Sequence, residues 1–183
     1  MKHILAISCL LFLSTSASTT QDDGPDLPVP QRAVTVIAVR HAEKATDDPR
    51  DPNLTEEGHE RARSLDRLLS HAGVTHLFST PYRRTRDTLA PLAKSTGLSL
   101  IEYSARDLPS FVEQLTLLPA GSVAVVAGHS NTTPSLVLGL GGDIAGLETV
   151  RGRPSLDEAQ YDRLFVTTVP GKGTPSTTLE LRY

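Results

Sequence analysis

Ala33-Val34-Thr35-Val36-Ile37-Ala38-Val39, followed at once by Arg40-His41, is the stretch on which the fold turns. Seven apolar or β-branched residues in a row describe a strand buried on both faces, as in a parallel sheet covered by helices. A second run of the same character, Ser122 to Ala127, ends at Gly128-His129-Ser130. Working outward, Thr75–Ser79 and Leu98–Tyr103 read as shorter strands. Helical stretches fill the gaps. Thr55 is placed to cap one in which Ala62, Leu65, Leu68 and Leu69 recur at three- and four-residue spacing before Ala72-Gly73. Pro81 sits where a second can begin, with Thr85, Leu89, Leu92 and Ala93 on one side until Gly97. Leu108–Leu118 and Thr133–Leu140 supply two more, and Arg163–Val169 with Thr177–Arg182 read as a closing hairpin. Strand and helix alternating in this way predict an α/β fold, a three-layer α/β/α sandwich on a mainly parallel sheet.

The chain has 183 residues, enough for one domain with a substantial core. Its formal charge of -3 argues against attachment to nucleic acid through a generally basic surface. Residues 1–17 show a lysine, an apolar run from Ile4 to Leu13 and the small residues Ser14-Thr15-Ser16-Ala17, the pattern of a cleaved secretory signal. About ten apolar residues are too few to span a bilayer, so no stable membrane association is expected after cleavage. Cys9, the single cysteine, lies inside that segment, and a mature chain has no thiol chemistry. Residues 18–32 read as a polar leader, residues 33–183 as the folded domain, and the location as secreted or periplasmic.

In open α/β sheets, ligands bind beyond the carboxyl ends of the strands. His41 and His129 each follow a core strand directly, so both are carried to that rim. Arg40 precedes the first, and Arg83, Arg84 and Arg86 cluster after the second strand. Imidazoles and guanidiniums at one rim describe an anion site, because guanidinium offers a fixed fork of donors that matches phosphate oxygens. A serine hydrolase is excluded: Gly128-His129-Ser130-Asn131-Thr132 lacks the closing glycine of a nucleophile elbow, and no histidine follows Ser130. No metal-binding spacing occurs around Glu43 or His59, and no cofactor or metal is expected.

At these residues the chain resembles the histidine phosphatase (phosphoglycerate mutase-like) superfamily, in its small phosphatase branch. Val39-Arg40-His41-Ala42-Glu43-Lys44 looks like its first signature, with Ala42 where glycine is usual. Ser79-Thr80-Pro81-Tyr82-Arg83-Arg84-Thr85-Arg86-Asp87-Thr88 resembles the second, whose register selects Arg84 and Thr88, and Gly128-His129-Ser130 resembles the third. The resemblance implies a metal-independent phosphomonoesterase acting on phosphorylated small molecules. His41 would be the nucleophile, forming a phosphohistidine, while Arg40, Arg84, His129 and Ser130 would bind the phosphoryl oxygens. The family's glutamate context after the third strand is missing. Asp107 is the first choice as proton donor, followed by Glu102 and Glu113, and Asp107 also suits a helix N-cap. Without a donor, the alternative is a non-catalytic phosphate- or anion-binding protein of the same fold.

Overall fold

The computed structural model describes residues 33–171 and 173–183, so the expected signal and leader lie outside the described residues. In chain order the elements are β1 (Val34–Arg40), α1 (Glu56–Leu69), β2 (His76–Ser79), α2 (Arg83–Thr96), β3 (Leu100–Glu102), α3 (Leu108–Thr116), β4 (Val123–Gly128), α4 (Thr132–Gly139), β5 (Glu148–Val150), β6 (Arg153–Ser155), β7 (Arg163–Val169) and β8 (Thr177–Arg182). One sheet runs in the order β3-β2-β4-β1-β7-β8. Its first four strands are parallel, while β7 is antiparallel to β1 and β8 to β7. The α/β reading holds, closing hairpin included. The β5–β6 hairpin within residues 141–160 was not legible, being three residues a side and largely exposed.

The unbroken apolar character of β1 has a direct cause. Val36 and Ala38 point into a core shared with Phe78, Phe111, Leu115, Leu136 and Phe165, while Ile37 and Val39 point into a second core with Leu65, Leu69, Leu89 and Leu92. A strand that feeds two cores has no solvent face to mark with polar residues. Local chemistry sets the helix ends. The Thr55 side chain accepts a hydrogen bond from the Gly58 amide at 3.1 Å, and Gly97 closes α2 in the left-handed conformation at φ 72°. Pro81 does not open α2, which starts two residues later, after Tyr82. The third helix ends at Thr116, short of the expected Leu118.

Topology then creates one crowded rim. β1 and β4 are neighbours in a register that pairs Arg40 with Gly128, and the His41 amide donates to the Gly128 carbonyl at 2.9 Å. β7 runs the other way along β1, pairing Leu164 with Val39, so the chain entering β7 crosses the same rim.

Candidate active site

The two strand-end histidines meet with ring centroids 5.5 Å apart. Nδ1 of His41 lies 2.8 Å from its neighbour's carbonyl, that of Ala42. A carbonyl only accepts, so Nδ1 carries the hydrogen and Nε2 keeps its lone pair. Burial pushes His41 from the ordinary 6.5 down to about 3, with smaller downward contributions from Arg40, His129 and Arg84. Removal from water outweighs the nearby cations. His129 falls to about 4, again chiefly through burial, and its Nε2 is held 3.2 Å from the Thr80 hydroxyl. Gly128 permits this approach. A Cβ there would stand 2.9 Å from both Thr132 Oγ1 and Thr133 Oγ1, the first of which accepts from the His129 amide.

Arg84 reaches the rim from the first turn of α2, against the usual rule. Helix N-termini favour acidic side chains and a capping oxygen. This one carries Arg83, Arg84 and Arg86, no acidic residue in its first turn and no side-chain cap from Tyr82. Asp51, from the loop after β1, takes the cap's place by accepting from the Arg83 amide at 2.8 Å. It also stands 3.8 Å from Arg84 Nη1, too far for a hydrogen bond, and that buried nitrogen has no hydrogen-bond partner among the described residues. The Arg84 guanidinium lies over the Tyr82 ring at 4.4 Å. Thr88 ties helix to strand end: its hydroxyl accepts from the Ala42 amide at 2.9 Å and donates to the Arg84 carbonyl at 2.6 Å.

Arg40 is only 1% exposed, and the chain entering β7 occupies most of its fork. Nη1 donates to the carbonyls of Asp157, Glu158 and Gln160 at 3.0, 3.0 and 3.3 Å, and Nη2 to Glu158 Oε2 at 2.8 Å. The guanidinium carbon sits 4.1 Å from the Tyr161 ring centroid, and the buried Nε has no partner among the described residues. The Ser130 hydroxyl donates to Glu158 Oε1 at 2.9 Å. Arg40, His41, Arg84, His129, Ser130 and Glu158 line one open cavity of about 560 Å³, walled on the other side by Lys44, Thr46, Asp48, Arg50 and neighbouring residues of the loop after β1.

The model of the histidine phosphatase superfamily (branch 1) matches residues 36–106. Among solved structures, the SixA protein histidine phosphatase complexed with tungstate superposes with a TM-score of 0.60 at 17% identity, over 81% of this chain and 96% of its own. This is the histidine phosphatase fold. A mycobacterial glucosyl-3-phosphoglycerate phosphatase complexed with VO3 gives 0.58 at 13% identity, over 81% and 98% of the two chains. A chain described as phosphohistidine phosphatase SixA, from Nakamurella multipartitia, gives 0.57 at 20% identity over 84% and 98%. No curated protein matches the sequence.

Within this histidine phosphatase fold the structure gathers His41, Arg40, Arg84, His129 and Ser130, and leaves Asp107 out. Its side chain caps α3, accepting from the Ser110 amide at 3.3 Å, and does not line the cavity. Helix capping uses the carboxylate that the sequence reading had offered to the leaving group. Glu102 and Glu113 are exposed on β3 and α3. Glu43 holds Arg61, with Nε at 2.8 and 3.0 Å from its two oxygens, and Arg61 in turn donates to the Tyr183 carbonyl at 2.7 Å. Glu158, Tyr82 and Tyr161 are the site residues that sequence reasoning missed. For Tyr161 and Glu158 the available signal was the apolar strand Leu164-Phe165-Val166 just beyond them.

Proposed function

We propose that this chain is a phosphomonoesterase that hydrolyses phosphate esters through a phosphohistidine on His41, with guanidinium in place of metal as the balancing charge. The observation that carries the reading is the state of His41. Burial disfavours the charged imidazole, its hydrogen is directed at the Ala42 carbonyl, and the ring lines a cavity where Arg40 and Arg84 each keep one buried N–H without an acceptor among the described residues. Unmet donors of fixed charge around a neutral nucleophile suit a dianionic phosphoryl group, and they are in position before charge develops on it. In the first step Nε2 bonds to phosphorus as the ester oxygen leaves; in the second, water displaces the nitrogen. The similar phosphatases that carry tungstate and VO3 support the same reading, since both ligands are oxyanions.

The test is turnover of a generic aryl phosphate by the wild type and by His41→Ala, with trapping of the labelled enzyme. An acid-labile phosphohistidine in the wild type and loss of turnover in the variant are expected. Retained activity in His41→Ala, or an acid-stable phosphoserine, overturns the mechanism. Binding of vanadate with no turnover and no phosphoenzyme would make the chain the non-catalytic anion binder. Export rests on the pattern of residues 1–17 alone, and the N-terminal sequence of the protein recovered outside the cytoplasm tests it.

A further inference from the structure

Ester cleavage leaves an alkoxide or phenoxide that needs a proton, and the segment after β3 does not supply the donor. Two carboxylates line the cavity, Asp48 and Glu158. Asp48 is committed: one of its oxygens accepts from the Arg50 and Asp51 amides at 2.7 and 3.0 Å, and these bonds hold its carboxyl below the usual range. Those two amides tie Asp48 to its own loop.

Glu158 is built differently. Its backbone is fixed by the Arg40 fork on three carbonyls of residues 157–160, by the Leu156 amide donating to the Ser130 carbonyl at 2.8 Å, and by the Ala159 amide donating to Asp157 at 2.8 Å. Its side chain is 72% exposed and held only through the carboxylate, one oxygen on Arg40 and the other on Ser130. A fixed backbone with a solvent-exposed carboxylate at the mouth of an anion site suits a proton carrier, since solvent can reach the group. The contact with Arg40 also makes it responsive, because a dianionic phosphoryl group arriving at that guanidinium competes with the carboxylate for its positive charge.

Resting on the phosphatase reading above, we propose that Glu158 is the catalytic acid and base of this site, delivered from the loop before β7. The phosphoryl group takes the Arg40 donor, and the displaced carboxylate, now beside negative charge instead of a cation, takes up a proton from solvent. As His41 Nε2 bonds to phosphorus, the phosphorus–oxygen bond breaks with its electron pair on the leaving oxygen, and the Glu158 proton moves to that oxygen. In the second step the Glu158 carboxylate accepts a proton from water. The water oxygen bonds to phosphorus, and the pair of the phosphorus–nitrogen bond returns to Nε2. Ester and water have become alcohol and phosphate, and Glu158 ends protonated as it began the first step.

Leaving-group dependence tests this. Single-turnover release is measured for 4-nitrophenyl phosphate, whose leaving group needs no proton, and for phenyl phosphate, whose leaving group does. In Glu158→Gln, release from phenyl phosphate should fall about a hundred-fold while release from the nitrophenyl ester falls less than about three-fold. The phosphohistidine should also persist longer than in the wild type. Glu158→Asp keeps a carboxylate and should recover part of the phenyl phosphate rate. An equal loss on both esters, or no loss on either, overturns the assignment. So does a Glu158→Asp variant no better than Glu158→Gln. A wild type that forms phosphohistidine while Glu158→Gln shows no leaving-group effect defeats the Glu158 proposal alone; a wild type that forms none defeats the phosphatase reading as well.

Discussion

Replacing His41 by Gln should flatten the loss of folding stability in acid, by an amount the site itself sets. The ring titrates at about 3 in the folded protein against an ordinary 6.5. A histidine depressed in this way stabilises the fold above its unfolded value, and that stabilisation is lost as pH falls from 6.5 toward 3, because the unfolded chain then binds the proton more readily. At about pH 5 the unfolded ring is almost fully charged and the folded ring almost fully neutral, so His41 alone costs about 2 kcal/mol relative to about pH 8. His129, at about 4, adds a comparable amount in the same window. For a domain stable by about 5–15 kcal/mol, the pair is a large share of the total. The assay is urea unfolding of wild type and His41→Gln at both pH values. The variant should lose about 2 kcal/mol less than the wild type between them, a difference of about 1 M in the shift of the midpoint. Carboxylates titrate alike in both proteins and cancel. Equal losses would refute the reasoning, since they would mean the buried ring is not what resists protonation.

The same depressed values shape the activity profile. With both rings neutral down to about pH 5, the acid limb of kcat/KM should follow the second ionisation of the phosphate ester, near about 6, and move when a substrate of different ionisation is used. A limb that stays put for two such substrates would point to an enzyme group. Thr88→Val removes the acceptor of the Ala42 amide in a fully buried place and should cost about 1–3 kcal/mol in denaturant unfolding. Gly128→Ala drives a methyl group against the Thr132 and Thr133 hydroxyls, costing about 1–3 kcal/mol and shifting His129. Its kcat on an aryl phosphate should fall further than that of a surface control, and unchanged kinetics would show that the His129 loop has room to give.

Part of this site was legible because it breaks local rules. Arginines crowding a helix N-terminus with no acidic residue in its first turn, and histidines placed hard against strands with no solvent face, make poor sense as structure alone and good sense as an anion site. Strands feeding two cores announced themselves by lacking alternation, and Thr55 and Gly97 by their capping chemistry. Asp107 fell to the opposite effect: a carboxylate at a helix start satisfies a local rule, and the structure finds it doing so. Glu158 and Tyr161 obey and break nothing locally. Their contacts with Arg40 span more than a hundred residues and exist because β7 lies antiparallel beside β1. The closing hairpin was readable from periodicity, but its partner was not. Once β7 takes that place, strand direction forces the residues before it onto the rim where β1 ends. What stayed hidden was therefore a pairing rather than a motif, and the residue proposed to move the proton is the one that this pairing brings in.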